Sequence, residues 1–257
     1  MNERVSAYFE ALRGRRIAVL GIGVSNRPLI RMLLARGLYV TACDKTPREK
    51  LDDAVLQLEK DGAALHLGEG YLDGLDADVI FRTPGMRPDL PQIKRLTDRG
   101  AVLTSEMEAF FAVCPCKLIA VTGSDGKTTT TTLIAEILKH AGRTVWLGGN
   151  IGTPLLPQAE RMQPEDVAVV ELSSFQLMTM TQSADVAVVT NLAPNHLDVH
   201  RDMDEYIAAK ENIYLHQHEG DIAIFNEDND ITRSLSKKAS ARTRLFSRRE
   251  EVADGVF

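Results

Sequence analysis

The sequence predicts an α/β protein built from two parallel-sheet domains, and three observations carry that prediction. Short runs rich in Val, Ile and Ala, such as IAVL from Ile17 and DVAVVEL from Asp166, alternate with segments of helical apolar spacing. Two such runs lead straight into a glycine turn and a helix start: RIAVLGIG from Arg16 and KLIAVTGSDGKT from Lys117. The chain has 257 residues, room for two domains of ordinary size.

Taken in order, residues 4–12 read as a short amphipathic helix and Arg16 to Gly23 as a strand and turn. A helix over 28–36 follows, with Gly37 as its stop, then a strand over 38–43 ending at Asp44. This βαβ opens with G-x-G-x-x-N and has an acidic residue about 20 positions on, the outline of a Rossmann-like dinucleotide fingerprint. The third glycine of that fingerprint serves close helix–strand packing, and here it is Asn26. The pattern therefore supports an anion site at Val24, Ser25 and Asn26 more firmly than it supports NAD. Asp44 stands where it can bind a ribose or base, or where a turn residue is simply solvated. A helix over 50–60 and strands over 63–67 and 78–82 come next. Thr83, Pro84 and Gly85 then turn at a strand's C-terminal end, where open α/β sheets bind ligands. A helix over 90–99 and a strand over 101–103 complete the first domain. The boundary falls near Ser105, giving a Rossmann-like domain over 1–105 and a second domain over 106–257.

The second domain opens with a helix over 106–113 and the strand Leu118–Val121. Gly123, Ser124, Asp125, Gly126, Lys127, Thr128 and Thr129 then cross from that strand into a helix. A helix N-terminus offers unpaired N–H donors and the positive end of its dipole, so this turn suits the phosphates of ATP. Lys127 would reach the outer phosphates and the Thr128 hydroxyl would hold Mg²⁺. The spacing G-x-x-G-K-T is two residues shorter than the common phosphate loop. Leu133, Ile134, Ile137 and Leu138 mark one apolar face of the helix. A strand over 144–147, the turn GGNIG and the strand over 166–172 follow. Glu171, at that strand's end, either reaches the Mg²⁺ held by the loop or is an exposed terminal glutamate. A strand over 185–191 ends in NLAPNHLD, which is either an Asx turn or the place where His196 meets nucleotide or metal. The helix over 203–216 carries Lys210, ordinarily a solvated position. A strand over 221–226, a short helix and a strand over 243–247 lead to a final turn, after which no paired strand is expected. That ending suggests a chain cut short within the domain.

Composition narrows the partners. Net charge is −6 without a long basic run, so nucleic acid is not an expected partner and an anionic ligand must be held by local groups. No run of about 18 apolar residues spans a membrane. The start, MNERVSAYFEALRGRR, is too charged for a signal-peptide core. Cys43, Cys114 and Cys116 lack zinc spacing and read as reduced thiols of a cytoplasmic protein. No exposed apolar seam stands out, so a monomer is expected.

The motifs VTGSDGKTTT, GNIG, ELSSFQL, NLAPNHLD and AAKENIY, in this order, resemble those of the Mur ligases. They span most of Lys117 to Tyr214, and the short phosphate loop is that family's own version. The resemblance implies a P-loop central domain and an ATP- and Mg²⁺-dependent amide ligase of peptidoglycan synthesis. ELSSFQL points to the member that joins D-glutamate to UDP-N-acetylmuramoyl-L-alanine. Carried over by motif, Lys127 is the phosphate-loop lysine, and Thr128 and Glu171 hold Mg²⁺. Asn150, Ser173, Gln176 and His196 surround the UDP-substrate and metal. Lys210 is the lysine that is carbamylated in this family, where it ligates a second Mg²⁺. Lys127, His196 and Lys210 are thus the catalytic candidates. In the first domain Val24 and Ser25 match the loop near the diphosphate, Asp44 the acidic residue near uracil, and Gly85 the turn beside it. Asn26, Lys45 and Thr46 depart from the family pattern. The resemblance also implies a further domain that supplies the D-glutamate site, so this chain alone is expected not to turn over. Rival readings are another Mur ligase or a folylpolyglutamate-type ligase, a non-catalytic nucleotide-binding module and a dehydrogenase.

Overall fold

Two sets of parallel strands organise the computed structural model, which describes residues 3–195 and 199–257. By internal contacts the chain divides into a unit over 1–113 with 156–161, and a unit over 114–155 with 162–257. The division falls at Val113/Cys114, beyond the Ser105 position read from sequence.

The first unit contains α1 (Glu3–Glu10), β1 (Ile17–Leu20), α2 (Asn26–Leu34), β2 (Val40–Asp44), α3 (Asp53–Lys60), β3 (Ala64–Leu67), β4 (Val79–Arg82), α4 (Pro91–Thr97), β5 (Val102–Thr104) and α5 (Glu106–Val113). Its sheet runs β3-β2-β1-β4-β5, with every pair parallel. The order reverses between β1 and β4, which opens a crevice at their C-terminal ends. Ala18, Leu20, Cys43, Ile80, Ile93 and Leu96 form part of its core. Local signals agree with these elements. Asp52 caps α3 by accepting from the Val55 amide, and Pro91 begins α4 where its missing N–H costs nothing. The short turn at 156–161 packs on this unit. There the Leu156 amide donates to Glu106 Oε1 at 2.9 Å, and Arg36 pairs with Glu160.

The second unit contains β6 (Lys117–Thr122), α6 (Lys127–His140), β7 (Val145–Gly149), β8 (Val167–Glu171), α7 (Ser174–Leu177), β9 (Val186–Val189), α8 (Met203–Glu211), β10 (Ile222–Asn226), α9 (Asp230–Ser236), β11 (Arg242–Phe246) and β12 (Gly255–Val256). Its order is β12-β11-β10-β9-β6-β8-β7, again parallel in every pair. Parallel strands are covered on both faces and read as continuous apolar runs; β8, VAVVE, is buried at every position.

Three expectations are corrected here. A strand does follow the last turn, because Gly255 and Val256 pair with Leu245 and Phe246. The apolar face of α6 is narrower than its sequence suggests. Ile134 and Leu138 pack over Ala135, Val167 and Val169, whereas Leu133 and Ile137 are 56% and 65% exposed. Four apolar residues spanning two turns subtend more arc than one flat sheet can cover. The helix expected over 203–216 ends at Glu211 and continues only as turns. No helix among the described residues is long and apolar enough to cross a membrane.

Candidate functional site

In the second unit the phosphate loop hangs from β6 and is fixed from β9. Gly123 has φ +153°, and a Cβ there would meet Thr190 Oγ1 at 1.9 Å, so only glycine fits. Asn191 accepts from the Ser124 amide at 2.8 Å through its carbonyl and from the Asp125 amide at 3.0 Å through Oδ1. Thr190 Oγ1 donates to Asp125 O at 2.7 Å. These bonds leave the first amides of α6 at the loop mouth, the arrangement that receives an anion. Asp125 itself is exposed, so its charge lies in solvent.

The polar side chains then converge. Thr128 Oγ1 donates to Glu171 Oε2 at 2.6 Å, and Asn150 Nδ2 donates to Glu171 Oε1 at 2.9 Å. Glu171 is 1% exposed, which removes the reading of an exposed strand-end residue. Gly149 lets this happen. At φ +97° it lies so near β8 that a Cβ would meet Glu171 O at 2.1 Å, and the Asn150 amide bonds that same carbonyl. Lys127 Nζ donates to Ser124 O at 2.9 Å, folded back over the loop.

Lys210 is 2% exposed, far from the solvated lysine expected of a surface helix. Its Nζ donates to Gly123 O at 2.9 Å and Thr122 Oγ1 at 3.1 Å, and lies 4.9 Å from the centre of the Tyr206 ring. Burial, and then the nearby Lys127 charge, pull its pKa down to about 7, while Glu171 works the other way. Ser173 and Gln176 form a capping box at α7, where Ser173 accepts from the Gln176 amide and Gln176 Oε1 from the Ser173 amide. His196 lies outside the described residues.

Sequence reasoning missed three supports of this site. Tyr206 bonds Ser124 Oγ at 2.9 Å, and Asn191 and Thr190 hold the loop as described. Tyr206 stands one helical turn before Lys210, a spacing that places both on one face and was the available signal. His200, 2% exposed, stacks on Phe175 at 5.2 Å and bonds Ser174 Oγ at 2.9 Å.

The donor set suits Mg²⁺ with a polyphosphate. It offers one hydroxyl, one buried carboxylate and open amides, and Mg²⁺ takes one or two carboxylates and keeps substrate phosphates as its other ligands. Among the described residues no cluster of three or more His, Cys, Asp or Glu forms a separate metal cage.

In the first unit a cavity of about 380 Å³ lies at the C-terminal ends of β1, β2 and β4, lined by Gly21, Gly23, Asp44, Lys45, Tyr71, Thr83, Gly85 and Met86. Asp44 and Gly85 line it; Val24 and Ser25 stand beside it at the start of α2. Asp44 accepts from the Ile22 amide at 2.8 Å and the Thr46 amide at 2.9 Å. Burial works to raise its pKa, but these bonds and Lys45 prevail and hold it below the usual range. The Asn26 side chain turns to the backbone of its own loop. It is 1% exposed, and its Nδ2 donates to Gly21 O at 2.8 Å, tying the loop down where a third glycine would leave space.

Residues 121–255 match the family model of the Mur ligase middle domain. The whole chain is 49% identical to a UDP-N-acetylmuramoylalanine–D-glutamate ligase of Clostridium novyi (strain NT), and 47% identical to one of Clostridium tetani (strain Massachusetts / E88). It spans 56% of the length of each. The fold is similar to that of UDP-N-acetylmuramate:L-alanyl-gamma-D-glutamyl-meso-diaminopimelate ligase from Neisseria meningitides, with TM-score 0.58 at 19% identity over 94% of this chain and 82% of that one. A murein peptide ligase from Psychrobacter arcticus 273-4 matches at TM-score 0.53 and 20% identity, over 91% of this chain and 53% of that one. With its middle-domain motifs gathered around one phosphate loop, the chain belongs to the Mur ligase family.

Proposed function

We propose that this chain is the nucleotide- and ATP-binding portion of a cytoplasmic ligase that adds D-glutamate to UDP-N-acetylmuramoyl-L-alanine at the expense of ATP. The observation that carries it is the Thr128–Glu171–Asn150 cluster at the mouth of α6, with Lys127 beside it and Lys210 buried behind. Such a cluster suits a polyphosphate with its metal ion, and 49% identity to ligases of that name supports UDP-N-acetylmuramoyl-L-alanine as the acceptor.

A carboxylate is a poor electrophile, and phosphorylation gives it a leaving group. The substrate carboxylate oxygen attacks the γ-phosphorus of ATP and ADP departs. The D-glutamate amine then attacks the acyl carbon, loses a proton, and phosphate departs. Mg²⁺ held by Thr128 and Glu171, with a second ion on a carbamylated Lys210, would offset the charge gathering on the phosphoryl group. The α6 amides and Lys127 orient the phosphates, and this electrostatic positioning is the main catalytic contribution. Asn150 holds the Glu171 carboxylate in place. A lysine with pKa about 7 is substantially neutral at physiological pH, and the free amine is the form that adds CO₂.

The test is ADP release by the full-length protein, omitting D-glutamate and UDP-N-acetylmuramoyl-L-alanine in turn. Release must require both. Turnover that prefers another amino acid overturns the assignment to D-glutamate. These 257 residues span 56% of the length of the Clostridium novyi ligase and by themselves are expected to give none.

A further inference from the structure

We propose that Arg82 is a positioning residue for the nucleotide base, because its buried guanidinium fixes the Thr83–Met86 turn that walls the first unit's cavity. The proposal rests on the reading of that cavity as a uridine-nucleotide site and adds to it a residue outside the family motifs. Arg82 ends β4 and is 1% exposed, a rare state for an arginine. Its Nη1 lies within hydrogen-bonding distance of three carbonyls of one turn: Thr83 O at 3.2 Å, Pro84 O at 2.7 Å and Met86 O at 2.5 Å. Thr83, Gly85 and Met86 line the cavity, and Asp44 lines it from the other side of β1. The cation itself does not line the cavity. It acts from behind, gathering carbonyls inward so that the backbone between them presents a fixed wall.

The chemistry of that wall suits a pyrimidine. Asp44 is an acceptor for a ring N–H, and Tyr71 is the aromatic among the lining residues, a surface for a flat ring. A flat ligand held between two sides separated by a strand is sensitive to where each side stands. A buried cation is a costly way merely to fill space, since an apolar side chain of similar volume is often as stable or more so. Its use here is to define a conformation of the turn.

The experiment titrates the 257-residue chain with UMP, by calorimetry, in parallel with chemical denaturation. Three variants are compared with it: Arg82→Met, Arg82→Gln and, as a stability control in the same unit, Leu58→Ala, which removes a fully buried side chain away from the cavity. Arg82→Met is expected to raise the UMP Kd by about tenfold. Arg82→Gln keeps one N–H₂ and should fall between it and the parent. Leu58→Ala should lose stability and keep the parental Kd. Parental UMP affinity in either Arg82 variant overturns the proposal, and Arg82→Gln decides if Arg82→Met does not fold. An equal loss of affinity in Leu58→Ala also overturns it, since stability alone would then explain the effect. If the parent does not bind UMP, the nucleotide reading of the cavity fails first, and the proposal with it.

Discussion

Lys210 is the residue whose surroundings say most. Its pKa is 10.5 as a free side chain and about 7 when folded, chiefly through burial. Between those values the unfolded chain binds the proton and the folded chain does not, so raising the pH favours folding. The gain from this group is about 1.4 kcal/mol per pH unit across that window, and the penalty is fully present below pH 7. In CO₂-free, metal-free buffer, the parent should gain stability relative to Lys210→Met from pH 7 to 10, read by urea denaturation. A flat difference would mean that the amine stays charged. Burial of this kind is poorly legible in a sequence. AAKENIY shows a lysine on a helix; Tyr206 lies one turn away, but the Gly123 carbonyl and the Thr122 hydroxyl that bond its ammonium come from residues distant in the chain. Arg82 was equally hidden, since VIFRT looks like a strand running out into solvent. By contrast the turn that carries Lys127 and Thr128 into the start of α6 was legible, because a strand, a glycine turn and a helix start are adjacent in sequence.

At the scale of elements, periodicity located the helices and strands but not the breadth of their contacts. On α6, Leu133→Glu should change stability by no more than about 0.5 kcal/mol, because the side chain is mostly in solvent. Val169→Ala, beneath the same helix and fully buried, should cost about 2 kcal/mol. Equal costs would show that Leu133 is covered in solution. Short α7 depends on its cap instead. Ser173→Ala removes the acceptor for the Gln176 amide and should cost about 1 kcal/mol in urea denaturation. The same residue was read from sequence as a substrate neighbour, and the ELSSFQL motif serves that reading and the capping box equally. A motif does not separate a residue that touches ligand from one that shapes the turn beside it.

The whole molecule repeats one design. Each unit is a parallel sheet, and each gathers its polar residues at the C-terminal ends of the strands, as open α/β sheets do. UMP and ATP with Mg²⁺ should therefore each raise the melting temperature of the chain, and each should still do so when the other is saturating. Thr128→Val should abolish the ATP shift and leave the UMP shift intact. Loss of both would tie the two events together. The two-domain plan was legible because each sheet begins with its own glycine turn. The boundary was less so, since α5 carries no punctuation and declares its allegiance only by what it packs on.

The stretch Leu156–Arg161 gives the architecture a practical consequence. Leu156 and Ala159 are fully covered, yet the polypeptide delivers them to the first unit only after threading through β6, α6 and β7. Scissors applied after Val113 would thus release an N-terminal piece with a bare seam along α2 and α5, robbed of a clasp encoded more than forty residues downstream. Anyone isolating that half for ligand work should carry the clasp along, grafted through a flexible tether.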